Sequence, residues 1–187
     1  MARSPVILLA DRSLPHVNAI ATTLESGLSE IVDFLPTGSD QATLAIAIGG
    51  DGTLINHGRA LSTQGIPLIG VNSGRLGFLA KFDAQSLIEH RASIFTDDPP
   101  TMEVMLLEVT VDDNPPEIAM NEAMIAAGSP FRILELGLSI NGIPAPTLHG
   151  DGIIVSTPIG STAHNASVGG PIVDPTAQAF VLTPLAA

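Results

Sequence analysis

Short apolar runs divided by polar and glycine-rich breaks fill this chain, and their rhythm changes near the middle. In the first half Val6–Ala10 reads as a buried strand and Leu14–Leu28 as a weakly amphipathic helix. Glu30–Leu35 predicts a second strand, and Thr43–Ile48 a third that runs into Gly49 and Gly50. Leu54–Leu61 reads as a helix, which Gly58 weakens by about 1 kcal/mol relative to Ala. Pro67–Val71 is a fourth strand, and Asp83 is placed to cap a helix over Ala84–Phe95. Strands alternating with helices imply a mainly parallel sheet.

Asp97-Asp98-Pro99-Pro100 interrupts this alternation and marks a domain boundary, giving an α/β domain over 1–98 and a β domain over 99–187. Beyond it helical periodicity fades. Met102–Val111 predicts a long strand ended by Asp112-Asp113-Asn114-Pro115-Pro116. Glu117–Ala127, Ile133–Ile140 and Gly152–Ser156 predict further strands, and Asn141-Gly142 is a strong hairpin turn. This half reads as antiparallel β. The chain closes on an apolar strand and two alanines with no polar tail, which reads as a sequence stopped within a domain, with a naturally short tail as the alternative.

Composition narrows the chemistry. With 187 residues and 45% hydrophobic content the chain can bury a core. No apolar run approaches the ~20 residues of a membrane helix, and the run after the N-terminus is too short for a signal peptide, so a cytoplasmic protein with no membrane partner is expected. The absence of Cys excludes disulfides and thiolate chemistry. A formal charge of −12 argues against nucleic acid, whose binding rests on Lys and Arg. It also opposes an anionic ligand: like charges 4 Å apart repel by ~4 kcal/mol at an effective dielectric of about 20. A phosphate ligand would need a divalent cation or oriented backbone N–H groups.

Two glycine-rich segments offer such groups. Gly49-Gly50-Asp51-Gly52-Thr53 lies between a strand and a helix, where anions bind in α/β sheets. Asp51 is the odd member, since a carboxylate repels phosphate. It suits a metal contact or a base for an attacking hydroxyl, and it equally suits a helix N-cap in a tight turn. Asn72-Ser73-Gly74-Arg75-Leu76-Gly77-Phe78-Leu79 follows the next strand, with Arg75 either a phosphate ligand or a surface cation. In the second half Asn121-Glu122 lies inside an apolar strand, where its polar groups need ribose hydroxyls or neighbouring backbone as partners. His149-Gly150-Asp151-Gly152 precedes a strand. Ser156-Thr157-Pro158-Ile159-Gly160-Ser161-Thr162 then turns into Ala163-His164-Asn165-Ala166-Ser167. These hydroxyls and small residues suit a nucleotide base lying against the turn, with His164 either stacked on it or structural.

In this order the segments resemble the NAD kinases, also called ATP/polyphosphate-dependent NAD kinases. Gly49–Thr53 is similar to their first signature and Asn72–Leu79 to their Asn-x-Gly-x-Leu-Gly-Phe-Leu segment. Asn121-Glu122 is similar to their Asn-Glu/Asp pair. Asp151–Ser167 with Gly169-Gly170-Pro171-Ile172 matches their longest signature, and the matches span Ala45 to Leu185. The resemblance implies an N-terminal Rossmann-like α/β domain followed by an antiparallel β-sandwich-type domain. It implies transfer of a γ-phosphoryl group from ATP or polyphosphate, with Mg2+, to the 2′-hydroxyl of the adenosine ribose of NAD. Asp51 would be the general base, and Gly49, Gly50, Thr53 and Arg75 would hold phosphate. Gly52, Asn121, Glu122, Asp151, Thr162, Ala163, His164, Asn165, Ala166 and Ser167 would bind substrate, joined by Arg132 and His149. A homodimer or homotetramer is implied. Ile159 stands where the family has Thr, and His164 where it has Tyr. The family chain also continues past the Leu-Thr-Pro segment. A lipid or sugar kinase sharing the first motif, and a non-catalytic nucleotide binder, are the rival readings.

Overall fold

A computed structural model of the chain describes residues 3–74, 77–130 and 132–186. It divides into two compact units, Met1–Thr101 and Met102–Ala187.

The first unit is a parallel sheet covered on both faces. Its strands are β1 (Ser4–Leu9), β2 (Val32–Leu35), β3 (Leu44–Gly49) and β4 (Leu68–Asn72), in the order β2-β1-β3-β4. The helices are α1 (Pro15–Leu28), α2 (Asp51–Ser62), α3 (Ala84–Glu89) and α4 (Arg91–Ile94). Alternation along β1 and β3 divides the core. Val6, Leu44, Ile46 and Ile48 pack with Val17, Ala21, Leu24 and Leu28 of α1 and with Leu87 of α3. Ile7, Leu9, Ala45 and Ala47 pack on the other face with Leu54 and Leu61 of α2. Because both faces are covered, β3 is buried at all six positions, which is why it reads as an unbroken apolar run. The sequence order reverses between β1 and β3, so the carboxyl ends of β3 and β4 lie at the edge where such sheets bind ligands.

Local chemistry sets the helix ends. Pro15 opens α1, where its missing N–H costs nothing. The second helix begins at Asp51, earlier than the expected Leu54, because Gly50 takes the extended cap position and an acid suits the first turn. Asp83 caps α3 as expected: its carboxylate accepts from the Ser86 amide at 2.7 Å, while the Ser86 hydroxyl accepts from the Asp83 amide at 3.0 Å. The helix expected over Ala84–Phe95 is divided at His90. There the Arg91 guanidinium donates to the Ile88 carbonyl at 2.8 Å, satisfying one of the last carbonyls of α3.

The second unit is antiparallel throughout. It contains β5 (Leu107–Val109), β6 (Glu117–Ala119), β7 (Glu122–Ala126), β8 (Leu134–Ile140), β9 (Ile143–Gly150), β10 (Gly152–Ser156) and β11 (Val181–Leu185). A three-stranded sheet has the order β11-β10-β7, and β5-β6 and β8-β9 form two-stranded sheets. Asn141 and Gly142, with φ of 52° and 78°, make the two-residue turn joining β8 to β9. Two expectations change. The long strand over Met102–Val111 is reduced to Leu107–Val109, since its partner β6 offers only three paired residues after the donor-less Pro115 and Pro116. The strand over Glu117–Ala127 breaks between β6 and β7, because the carbonyls of Met120 and Asn121 turn to bond Thr157.

Leu24 is fully buried between α1 and the sheet. Leu24→Ala is expected to lower the unfolding free energy by about 2–5 kcal/mol, measured by urea denaturation.

Candidate functional site

In the first unit the candidate residues gather at the carboxyl ends of β3 and β4. Gly49 ends β3, Gly50 caps α2, and Asp51, Gly52 and Thr53 form its first turn. A Cβ at Gly49 would overlap the Thr53 side chain, whereas Gly50 and Gly52 face open space that a ligand can approach. Asp51 is not the N-cap. Its carboxylate reaches across to the loop after β4, accepting from the Phe78 amide at 3.0 Å and the Leu79 amide at 3.1 Å. A Cβ at Gly77 would overlap this carboxylate, so the loop needs glycine there. One charged side chain thus joins the two glycine-rich segments of this unit. Each of its oxygens accepts one amide and keeps a second lone pair. Asn72 shapes the start of the same loop, its Oδ1 accepting from the Gly74 amide at 2.8 Å. Arg75 lies outside the described residues.

In the second unit the candidates surround the turn after β10. Thr157 is fully buried; its hydroxyl donates to the Met120 carbonyl at 2.6 Å and accepts from the Gly160 amide at 3.0 Å. Its own amide donates to the Asn121 carbonyl at 2.8 Å. A Cβ at Gly160 would overlap that carbonyl, so backbone packs directly on backbone. These bonds fix Asn121 and Glu122 beside the 3-10 turn Gly160–Thr162 and the short helix α5 (His164–Ser167). The main chain of the pair is well held, but Asn121 Oδ1 and Glu122 Oε2 are buried with no hydrogen-bond partner among the described residues. Burial pushes the Glu122 carboxyl above the usual glutamate range, and the charge of His164 offsets part of that shift.

The remaining candidates divide by what their polar groups already do. Ala163 leads from the 3-10 turn into α5, where exposed His164 is the first residue. Thr162 donates to the Ile159 carbonyl at 3.1 Å and Ser167 to the His164 carbonyl at 2.7 Å. The Ala166 carbonyl accepts from the Gly169 amide at 3.1 Å. Asn165 is fully buried, and its side-chain amide bonds only to this chain. Asp151 is exposed between β9 and β10, with its backbone bonded to Ala127 and Leu185 at 2.8 Å. Arg132 and His149 are exposed, Arg132 just before β8 and His149 on β9, and neither side chain makes a hydrogen bond among the described residues. Ile159 is buried, so this position contributes packing to the turn where a Thr would add a hydroxyl. Sequence reading took Thr157 only as one of the turn's hydroxyls facing a base, and it did not single out Thr183. A buried hydroxyl beside a glycine turn was the available signal.

Glu122 gives this geometry a pH signature. A carboxyl whose pKa is raised by folding contributes stability at low pH that is lost as pH rises through the raised value. Glu122→Gln is therefore expected to melt higher than wild type at neutral pH. The difference should vanish below about pH 4.5, as read by thermal melts across pH 3.5–8.

Comparison with known proteins finds a match for each unit. Residues 10–98 match the ATP-NAD kinase N-terminal domain and residues 120–187 the ATP-NAD kinase C-terminal domain. The NAD kinase of Trichlorobacter lovleyi is 39% identical over 150 residues, which is 78% of this chain and 53% of that protein. That of Heliobacterium modesticaldum is 34% identical over 192 aligned residues, 99% of this chain and 66% of that protein. A crystal structure of an NAD kinase from Archaeoglobus fulgidus in complex with ATP superposes with a TM-score of 0.70 at 26% identity, covering 98% of this chain and 72% of that one. The chain spans about half the length of several curated relatives it matches. With both domain models matched in order, the chain belongs to the NAD kinase family.

Proposed function

We propose that this chain transfers the γ-phosphoryl group of ATP to the 2′-hydroxyl of the adenosine ribose of NAD, giving NADP and ADP. The observation that favours this reading is the pair of buried, unpartnered oxygens on Asn121 and Glu122. Ser156, Thr157, Ser161, Asn165 and Thr183, the other buried polar side chains of this unit, all have partners. An orphaned acceptor costs about 1–3 kcal/mol, and a ribose diol supplies the hydroxyl donors that would recover it. The flanking turn of small residues, Gly160 to Ala163, suits the flat face of the adenine.

In the proposed reaction the Asp51 carboxylate takes the proton of the 2′-hydroxyl. The freed oxygen attacks the γ-phosphorus, and the bond to the bridging oxygen of ADP breaks. Catalysis rests on positioning and charge neutralisation more than on covalent participation. The amides of Phe78 and Leu79 hold the carboxylate at a fixed angle. Gly49, Gly50, Gly52 and Thr53 present backbone to the donor phosphates, with Arg75 assigned to the same task. Among the described residues no three His, Asp or Glu are grouped to cage a cation. Mg2+ is accordingly read as part of the nucleotide substrate, carried by phosphate oxygens, and it would offset the charge of −12. The ATP bound to the related A. fulgidus enzyme favours ATP over polyphosphate as donor. The same reading includes a cytoplasmic homodimer or homotetramer. No helix among the described residues is long and apolar enough to cross a membrane.

An NAD-to-NADP assay with Mg2+ and ATP tests the proposal. Wild type is expected to form NADP, and Asp51→Asn to lose about 10²–10⁴-fold in kcat with NAD affinity kept. An Asp51→Asn variant as fast as wild type rules out the base. Phosphorylation of diacylglycerol with none of NAD would overturn the proposed acceptor and give this chain a lipid substrate.

A further inference from the structure

The side chain of Asn165 is buried inside the unit, with both of its N–H donors and one lone pair of its Oδ1 already bonded there. Its Nδ2 donates to the Ser161 carbonyl at 3.2 Å and to the Pro171 carbonyl at 2.9 Å. Its Oδ1 accepts from the Thr183 hydroxyl at 2.5 Å. Its backbone carbonyl accepts from the Gly170 amide at 2.9 Å, and a Cβ at Gly170 would overlap its side chain. Four stretches of chain therefore meet at one buried amide: the 3-10 turn, α5, the Gly169–Pro171 loop and strand β11. Ser161 closes the same junction from the other side. Its hydroxyl donates to the Pro158 carbonyl at 2.6 Å and accepts from the Val173 amide at 3.1 Å.

We infer that Asn165 and Thr183 are positioning residues for the substrate turn, with Thr183 coupling strand β11 to the shape of residues 160–167. Thr183 pairs with Ile154 across the sheet, so its backbone is fixed by the β10–β11 ladder while its hydroxyl locks the amide plane of Asn165. The locked amide in turn holds the start of α5, which opens at His164. Removing the Thr183 hydroxyl leaves the buried Asn165 Oδ1 unpartnered, and this junction loses one of the three bonds that hold the Asn165 side chain. The ligand in this proposal rests on the NAD reading above; the clamp itself rests only on these bonds.

The test compares wild type, Thr183→Val and Thr183→Ser by amide hydrogen exchange and by calorimetric titration with NAD. Thr183→Val is expected to lose exchange protection at Ser161, Ala163 and Gly170 and to bind NAD about tenfold more weakly, equivalent to 1.4 kcal/mol. Thr183→Ser restores the hydroxyl and is expected to recover both. Thr183→Ala, read in the same way, replaces Thr183→Val if the latter does not fold. Unchanged protection in the hydroxyl-free variant overturns the clamp. Lost protection with unchanged NAD affinity overturns its positioning role. A wild type that binds no NAD fails the functional reading instead, and the exchange data then decide the clamp alone.

Discussion

The second unit depends on what becomes of one backbone carbonyl, that of Asn121. It accepts the Thr157 amide at 2.8 Å and the Ser156 hydroxyl at 3.4 Å, and Gly160 packs against it without a side chain between. This contact breaks the run of strand between β6 and β7. It sets the turn after β10 beside the Asn121–Glu122 pair, and it leaves two side-chain oxygens enclosed without partners. A carbonyl free to continue a strand ladder would pair the same residues as ordinary sheet. The cost of the orphaned oxygens is of order 1–3 kcal/mol each, large beside a total stability of about 5–15 kcal/mol. On the proposed reading, the ribose hydroxyls of the substrate supply the donors that offset this cost.

The first unit solves a different problem with a related device. A carboxylate at the edge proposed to bind phosphate is electrostatically unwelcome in a chain of charge −12. Two amides from the loop after β4 hold Asp51, so its orientation is set by backbone and not by the ligand. Open space at Gly50 and Gly52 leaves the helix start approachable, while Gly77 is constrained by the carboxylate it faces. Glycines in this unit thus differ in their surroundings, with open space in one loop and close packing against Asp51 in the other.

Much of the α/β half was legible because its signals are local. β3 is apolar at every position since both its faces are covered, and Asp83 caps α3 through contacts within three residues. The Asn141-Gly142 turn needs only the φ values those residues tolerate. The β half was less legible where long-range bonds override propensity. Nothing near Met102–Val111 shows that its partner supplies only three residues, and nothing in Glu117–Ala127 shows that Thr157 draws off two of its carbonyls. Asn165 illustrates the limit at the site. Its place in a ligand-binding signature suggests contact with substrate, but Thr183, eighteen residues on, turns it inward. Periodicity cannot report a bond of that kind, and a buried Thr on a terminal strand gave no warning of it.

Titration of NAD into wild type and Asn121→Ala, followed by calorimetry, tests the central claim most directly. The account predicts saturable binding by wild type and a loss of at least about tenfold in affinity, roughly 1.4 kcal/mol, when the Asn121 acceptor is removed. Equal affinity in the two proteins would contradict it, because the buried oxygens would then have no part in holding the ribose.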